Sequence, residues 1–239
     1  MTVVSTAMQA DAQKIGLKPP ELAVLPMGVD LRERFIVDTS VHRAENELLF
    51  VGRLVAKKGL PALFKAMPFV LARRPATILT IAGFGPEESA LRALAHDLGI
   101  DGQVKFLGAM PQDRLPELYR RATVFVAPFI RDASGNQEGL PVVLMEAIGC
   151  GCPAVVGDVA GIRDLLGNAV GEVCVDPTDT QALVASILAV LEHPQEAQEQ
   201  ARKIRETVAG RIDWAAIADG YAQIIEGCVA KAVKGGGQS

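Results

Sequence analysis

From about Glu47 onward the chain repeats one pattern: a short apolar run rich in β-branched residues, a turn, and then an amphipathic stretch of helical length. The predicted strands are "LLFVG", "TILTIAG", "QVKFLG", "TVFVAP", "PAVVG" and "GEVCV". Strands that alternate with helices in this way indicate a parallel sheet with helices on both of its faces. The predicted fold is therefore α/β, a doubly wound parallel sheet with extra carboxy-terminal helices.

The segments on either side of this repeat divide the chain further. The predicted sheet domain covers residues 46–193, and Pro194 closes its last helix. Residues 1–45 contain one short strand, one helix and a polar link, and residues 194–230 contain two more helices. Residues 231–239, which include "KGGGQS", are predicted to form a disordered tail.

Composition excludes several classes of protein. With 49% apolar residues among 239, the chain can bury a sizeable core, and its net charge of −4 gives no reason to expect nucleic-acid binding. The start of the chain lacks the pattern of a signal peptide, and no uncharged apolar run reaches about 18 residues. A cytoplasmic location, with at most peripheral contact at the inner face of the membrane, is expected.

The cysteines do not indicate a disulfide framework or a metal site. There are four of them, too few for a disulfide scaffold. Cys150 and Cys152 are interpreted as small buried residues that end a helix and open a strand, because no histidine or second cysteine pair lies nearby in sequence. No metal is expected.

Glycines and polar residues cluster where the predicted strands end. They are Gly52-Arg53, Gly83-Phe84-Gly85, Gly108, Pro128 and residues 132–138. Because crossovers are right-handed, the carboxyl ends of all the strands lie along one edge of the sheet, where ligands of such sheets bind. The sequence therefore predicts a ligand site at this edge.

The stretch "QEGLPVVLMEAIGCGCPAVV" contains two carboxylates in an apolar run, Glu138 and Glu146. Pro141 suits the first position of a helix whose free N–H groups form an anion site, and Gly139 allows a ligand close to the backbone. Glu138 precedes this helix, and Glu146 on its second turn is expected to face a cleft. Two acceptors beside an anion site suit a nucleotide sugar. The alternative makes Glu138 a helix-start charge and Glu146 the partner of a buried arginine.

Basic residues follow the first strand in "FVGRLVAKKGL". Arg53 and Lys58 are expected at the same edge as Glu138, where they can neutralise a diphosphate. Alternatively both are ordinary surface charges, and Lys57 is expected to be solvated. Gly83, in "IAGFGPEE", is interpreted as a tight turn that lets a ligand approach, because the third glycine of a dinucleotide fingerprint is absent.

These residues carry a family resemblance. "LLFVGRLVAKKG", "LTIAGFGPEE", "VKFLGAMPQDRLPELYRRATVFVAP" and "EGLPVVLMEAIGCGCPAVV" resemble the donor half of a GT-B glycosyltransferase of the retaining family 4, the glycosyl transferases group 1. The likeness runs from about Pro26 to Asp176, and more weakly to Tyr221. It implies a Rossmann-like, carboxy-terminal half of a GT-B fold.

The resemblance implies roles by position. Arg53 and Lys58 would hold the diphosphate of the donor and stabilise the leaving group, and Glu138 would contact hydroxyls of the donor sugar. Glu146 would bind the ribose, and backbone N–H groups around Leu140, Pro141 and Val142 would meet phosphate or sugar. The loop at Met110 would border the base. Transfer would proceed with retention through an oxocarbenium-like state, without a metal or other cofactor.

Three departures from the family pattern stand out. Ala160-Gly161 replaces a usual Gly-Gly pair, and Asp164 replaces a usual glutamate. The resemblance also implies that residues 1–45 are a remnant of an amino-terminal acceptor domain plus the hinge, and that the final helix would pack on that domain. The expected partners are a nucleotide-sugar donor and the missing acceptor domain or subunit. His42, His96 and His193 lie outside every motif.

The expected function is therefore the donor-binding part of a glycosyltransferase that uses a nucleotide diphosphate sugar, with a polysaccharide or glycolipid precursor as acceptor. Little activity is expected from the chain alone. One alternative is a non-catalytic module for nucleotide-sugar binding or subunit assembly. Another is a GT-B-like nucleotide-sugar epimerase.

Overall fold

The predicted parallel sheet is confirmed by the computed structural model, which describes residues 1–17 and 22–235. Its strands are β1 (Thr2–Val3), β2 (Ala23–Val24), β3 (Glu47–Val51), β4 (Ile78–Ala82), β5 (Val104–Gly108), β6 (Val124–Ala127), β7 (Ala154–Gly157) and β8 (Cys174–Val175). The last six form one sheet in the order β5-β4-β3-β6-β7-β8, and every neighbouring pair is parallel.

Helices cover both faces of this sheet, as the alternating pattern predicts. They are α1 (Thr6–Lys14), α2 (Leu60–Arg73), α3 (Glu88–Asp97), α4 (Leu115–Arg121), α5 (Val142–Gly149), α6 (Ala160–Leu166), α7 (Val170–Val173), α8 (Thr180–Glu192), α9 (Pro194–Ile212) and α10 (Trp214–Gly235). Side chains of β3 alternate between two apolar clusters: Leu48 and Phe50 pack with α2 and α8, and Leu49 and Val51 pack with α5 and α9. A strand buried on both faces must be apolar at every position, which explains the continuous run "LLFV".

The strand order fixes where a ligand can bind. The chain moves outward from β3 through β4 to β5, and then returns to place β6 on the other side of β3. In open sheets of this kind, the reversal leaves a crevice beyond the carboxyl ends of the two central strands. Here those ends lead into Gly52 after β3 and Pro128 after β6.

The prediction of a strand over "GEVCV" is wrong in extent. Only Cys174–Val175 pairs with β7, and residues 170–173 form α7. β8 lies at the sheet edge and therefore has a partner strand on one side only. The helical turn before it buries Val173 without hydrogen bonds to a neighbouring strand.

The two ends of the chain pack beside the sheet. β1 and β2 form a separate parallel pair, and α1 packs on α6, where the backbone N–H and hydroxyl of Thr6 donate to Asp164 over 2.6 and 2.7 Å. At the other end α10 runs to Gly235, so the predicted disordered tail falls partly on this helix, and residues 236–239 lie outside the described residues. The division into domains stays a prediction. Within the described residues, every helix is too short or too polar to cross a membrane.

Candidate functional site

The loop after β3 is held against the loop after β6. Gly59 has a φ of 69°, and a methyl group added there would overlap the carbonyl oxygen of Pro128. The backbone N–H of Ile130 donates to the carbonyl of Lys57 over 3.0 Å. These contacts fix the turn at Ala56–Lys58 beside the crevice between β3 and β6.

Two lysines meet one carboxylate at this point. The ammonium of Lys58 lies 3.3 Å from Oε2 of Glu138, and that of Lys57 lies 3.0 Å from Oε1. The side chains of Lys58 and Glu138 are only 10% and 13% exposed, and Lys58 also lies 4.9 Å from the ring centroid of Phe129. The structure thus brings Lys58 and Glu138 together, and the prediction that Lys57 is solvated is wrong because the loop turns its ammonium onto the same carboxylate.

Arg53 completes an excess of positive charge. It is exposed on the same loop. Burial lowers the pKa of Lys58, the charge and hydrogen bond of Glu138 oppose that effect, and the charges of Lys57 and Arg53 lower the pKa further. Two ammonium groups therefore share the one carboxylate of Glu138, and Arg53 adds a third positive charge to the same loop, so an anionic ligand could balance this excess of positive charge.

Gly83 is required by a neighbouring loop. With a φ of 150°, it lies so close to Gly52 that an added methyl group would overlap the carbonyl oxygen of Gly52, and its N–H donates to Gly108 over 2.8 Å. Met110, two residues beyond Gly108, is half-buried against the cluster that includes Tyr119. The loops after β3, β4 and β5 are thus in contact, and the approach of a ligand to Gly83 or Met110 stays a prediction.

The segment before α5 is packed from two sides. A methyl group added at Gly161, near the start of α6, would overlap the carbonyl oxygen of Gly139. On the other side, a Cβ added at Gly139 would lie 4.0 Å from Cε of Met8 in α1. Pro141 caps the helix with extended backbone, so α5 begins at Val142, one residue later than predicted. Glu138 thus precedes the start of α5 by four residues, and Leu140 and Pro141 between them are both buried.

Glu146 is buried below this edge, with 3% of its surface exposed. The hydroxyl of Tyr119 donates to its Oε2 over 2.8 Å, and Gln112 supplies a further hydrogen bond. Burial raises the pKa of Glu146, and the hydrogen bond from Tyr119 and the charge of Arg34 partly offset this. The alternative of a buried arginine partner is thus replaced by a tyrosine partner, which sequence reasoning missed. The available signal was a tyrosine on the core face of a short amphipathic helix, because a buried phenol needs a hydrogen-bond partner.

We predict that Tyr119→Phe lowers the free energy of unfolding at pH 7 by about 2 kcal/mol, because a buried carboxylate loses a donor. Tyr119 stabilises the ionised form of Glu146 and so lowers its pKa relative to the same site without the hydroxyl. Its contribution is therefore fully present above the higher pKa that Glu146 has in the variant, and is lost as the pH falls below the pKa of Glu146 in the native chain. Urea titrations at pH 7 and at acidic pH measure both effects.

The exposed Tyr221 provides the matched control. Tyr221→Phe should change the free energy of unfolding by less than about 0.5 kcal/mol. A Tyr119→Phe variant as stable as its Tyr221→Phe counterpart at pH 7 would show that the hydrogen bond to Glu146 contributes nothing.

The other candidate features of the chain are structural. Cys150 and Cys152 are buried, and burial raises the pKa of their thiols to about 12 and about 11, so they are neutral side chains in the core, as interpreted. Across residues 1–17 and 22–235, no group of three or more His, Cys, Asp or Glu side chains could hold a metal ion. That no metal is needed stays a prediction. Cavities of about 280, 630 and 350 Å³ lie away from the side chains of Arg53, Lys58 and Glu138.

Solved structures share this fold. Sucrose-phosphate synthase from Thermosynechococcus elongatus superposes with a TM-score of 0.80 at 24% identity, over 96% of this chain and 58% of that one. Anabaena HepE in complex with UDP-glucose gives a TM-score of 0.81 at 21% identity, over 95% of this chain and 63% of that one. The fold is that of one half of a GT-B glycosyltransferase.

Curated relatives share the sequence. A GDP-mannose-dependent alpha-(1-6)-phosphatidylinositol monomannoside mannosyltransferase of Mycolicibacterium smegmatis is 34% identical over 183 residues, which are 72% of this chain and 48% of that protein. A glycogen synthase of Mycobacterium tuberculosis is 29% identical over 204 residues, 85% of this chain and 48% of that protein. The chain thus spans about half the length of these relatives.

The family described as "Glycosyl transferases group 1" matches residues 32–207. That range contains the sheet from β3 to β8, the paired lysines, both glutamates and most of α9. The chain therefore belongs to the glycosyl transferases group 1 family.

Proposed function

We propose that this chain is the donor-binding part of a retaining glycosyltransferase that takes a sugar from a nucleotide diphosphate sugar. The observation that carries the proposal is the ion pairing of Lys57 and Lys58 with Glu138, with Arg53 on the same loop, at the crevice between the two central strands and before the start of α5. It offers cations for a diphosphate and a carboxylate for sugar hydroxyls at one place. The names of the relatives and of the HepE complex, which mention GDP-mannose and UDP-glucose, support the same class of donor.

In this proposal Arg53 and Lys58 neutralise the departing diphosphate, and the opening N–H groups of α5 add to that stabilisation. Glu138 accepts from sugar hydroxyls, and Glu146, set by Tyr119, accepts from the ribose. The base lies against the loop that holds Met110. Reaction proceeds through an oxocarbenium-like state with retention, and it uses no metal and no other cofactor.

Transfer to an acceptor requires a second domain that forms the other side of the cleft and binds the acceptor. We propose that this is an amino-terminal acceptor domain, in the same polypeptide or as a separate subunit. α10 supports this, because Trp214, Tyr221, Ile225 and Val229 are all exposed. Spacings of seven, four and four residues place these side chains on one face of the helix. Such a stripe is typical of a surface that a partner covers.

A panel of UDP-glucose, GDP-mannose and ADP-glucose tests donor binding. At about a hundred times its dissociation constant, the correct donor should stabilise the chain by roughly 2.7 kcal/mol. For a chain of this length, that amounts to a rise in Tm of about 5 to 10 °C. The matching nucleosides, which lack the diphosphate, serve as controls. If none of the three donors raised Tm above its nucleoside, donor binding would be refuted.

A second experiment separates the enzyme from a non-catalytic nucleotide-sugar module. Purified chain should transfer little sugar by itself, and adding the cognate acceptor domain should restore transfer to a glycolipid or polysaccharide precursor. Binding of donor without any transfer in the reconstituted mixture favours the non-catalytic module. Appearance of an epimerised nucleotide sugar instead of a transferred one favours an epimerase.

A further inference from the structure

The carboxylate of Glu138 has a separate cation at each oxygen. Lys58 lies 3.3 Å from Oε2 and Lys57 lies 3.0 Å from Oε1. Oε1 is buried and receives no aligned hydrogen bond from the described residues, so the nearby ammonium of Lys57 is what balances its charge. A buried carboxylate without a counter-ion is costly. Removal of Lys57 would leave Oε1 without its cation, and removal of Lys58 would leave Oε2 without its cation.

Lys57 is held in place by the loop that leads to Glu138. Its carbonyl accepts from Ile130 at the start of this loop. Asp132, the next acidic residue along the loop, accepts from the hydroxyl and backbone N–H of Ser134. The hydroxyl of Ser134 is the main cause that lowers the pKa of Asp132, and the charge of Lys57 adds to that lowering. Lys57 thus forms an ion pair with Glu138, and its charge acts more weakly on Asp132.

The two lysines differ in their burial and in how well their positive charge is already balanced. Lys58 is the more buried, at 10% against 27% exposed, and its pKa is lowered by burial and by the charges of Lys57 and Arg53. An incoming diphosphate would offset the unfavourable burial and charge repulsion at the ammonium of Lys58. Lys57 already forms an ion pair with Glu138, and its charge also contributes to the lowered pKa of Asp132.

We propose that Lys57 is a positioning residue, which stays paired with Glu138 and holds its carboxylate toward the donor sugar while Lys58 turns from Glu138 to the donor diphosphate. This inference rests on the proposed function. Without Lys57, a donor that recruits Lys58 would leave Glu138 buried beside a second anion with no counter-ion. The donor would then bind only at the cost of that unpaired charge.

The test is a double-mutant cycle on donor affinity, measured by titration calorimetry with the tightest of UDP-glucose, GDP-mannose and ADP-glucose. Lys57→Met should weaken binding about tenfold, whereas Lys57→Arg, which keeps the charge, should stay within about threefold of the native chain. In a Glu138→Gln background the side chain at position 138 is neutral and needs no counter-ion. There, Lys57→Met should weaken donor binding by less than about twofold. Lys65→Met, at an exposed position on α2, is the matched loss of one positive charge.

The outcomes separate this inference from the proposed function. If the native chain binds none of the three donors, both are overturned. If the native chain binds a donor, the effect of Lys57→Met decides the inference. An equal loss of affinity with Glu138 and with Gln at position 138 would mean that Lys57 contacts the donor directly. The inference would then be wrong while the proposed function stands. The same holds if Lys57→Met behaves like Lys65→Met. Thermal unfolding checks that each variant is folded, and Lys57→Gln replaces Lys57→Met in the cycle if the latter is not.

Discussion

Gly161→Ala is expected to weaken donor binding by about a hundredfold, because displacing Glu138 and the start of α5 would lose charge-assisted contacts worth about 1.5 to 3 kcal/mol. The new methyl group would overlap the carbonyl oxygen of Gly139, which is backbone and cannot rotate away. The segment from Glu138 to Leu140 must therefore shift, and with it the carboxylate and the opening of α5. Overpacking of this kind should also cost about 3 kcal/mol of stability, read as a fall in Tm of about 6 to 12 °C.

The control for this prediction is the same substitution where there is room. Gly210 is exposed near the end of α9, and nothing lies within 4 Å of an added Cβ. Gly210→Ala should leave donor affinity unchanged and raise stability by up to about 1 kcal/mol, since alanine favours a helix. A Gly161→Ala variant that binds donor as tightly as Gly210→Ala would show that the Gly139 segment does not form the donor site.

Lys58→Met is expected to weaken binding of a nucleoside diphosphate by about a hundredfold, because it removes a charge-assisted contact to the diphosphate in a partly dry site. Binding of the corresponding nucleoside should not change. Competition titrations with the diphosphate and the nucleoside measure the two affinities. Lys105→Met, an exposed substitution on β5, controls for the loss of one positive charge.

The same lysine predicts a pH dependence. The pKa of Lys58 lies below its usual 10.5, so its ammonium loses its proton at a lower pH than an exposed lysine. Because the charged form binds the diphosphate, affinity should fall as the pH rises through the pKa of Lys58. Lys58→Arg should abolish that fall, since a guanidinium stays protonated. An affinity that is flat with pH in the native chain, or that falls alike in Lys58→Arg, would contradict the role of Lys58.

Much of the site was predictable because it depends on strand ends. Arg53, Lys58 and Glu138 each follow a predicted strand, and parallel strands bring their carboxyl ends to one edge whatever the loops do. The contact of Lys58 with Glu138 is observed there. The roles of these residues toward a donor stay predictions. The extent of β8 was not predictable. An edge strand pairs on one side only, so the apolar pattern of its sequence fits a strand and a helical turn about equally well.

By itself, the sequence determined the parallel α/β fold and the edge at which the strand ends and their polar loops gather, since both follow from local apolar patterns and from the handedness of crossovers. Only the tertiary structure decided which groups meet at that edge and beneath it. Tyr119 reaches Glu146 across 27 residues of chain, Lys57 turns onto Glu138, and Gly161 allows α6 to touch Gly139. These contacts join different loops and helices, so they depend on how those elements pack in space, and no local pattern records that.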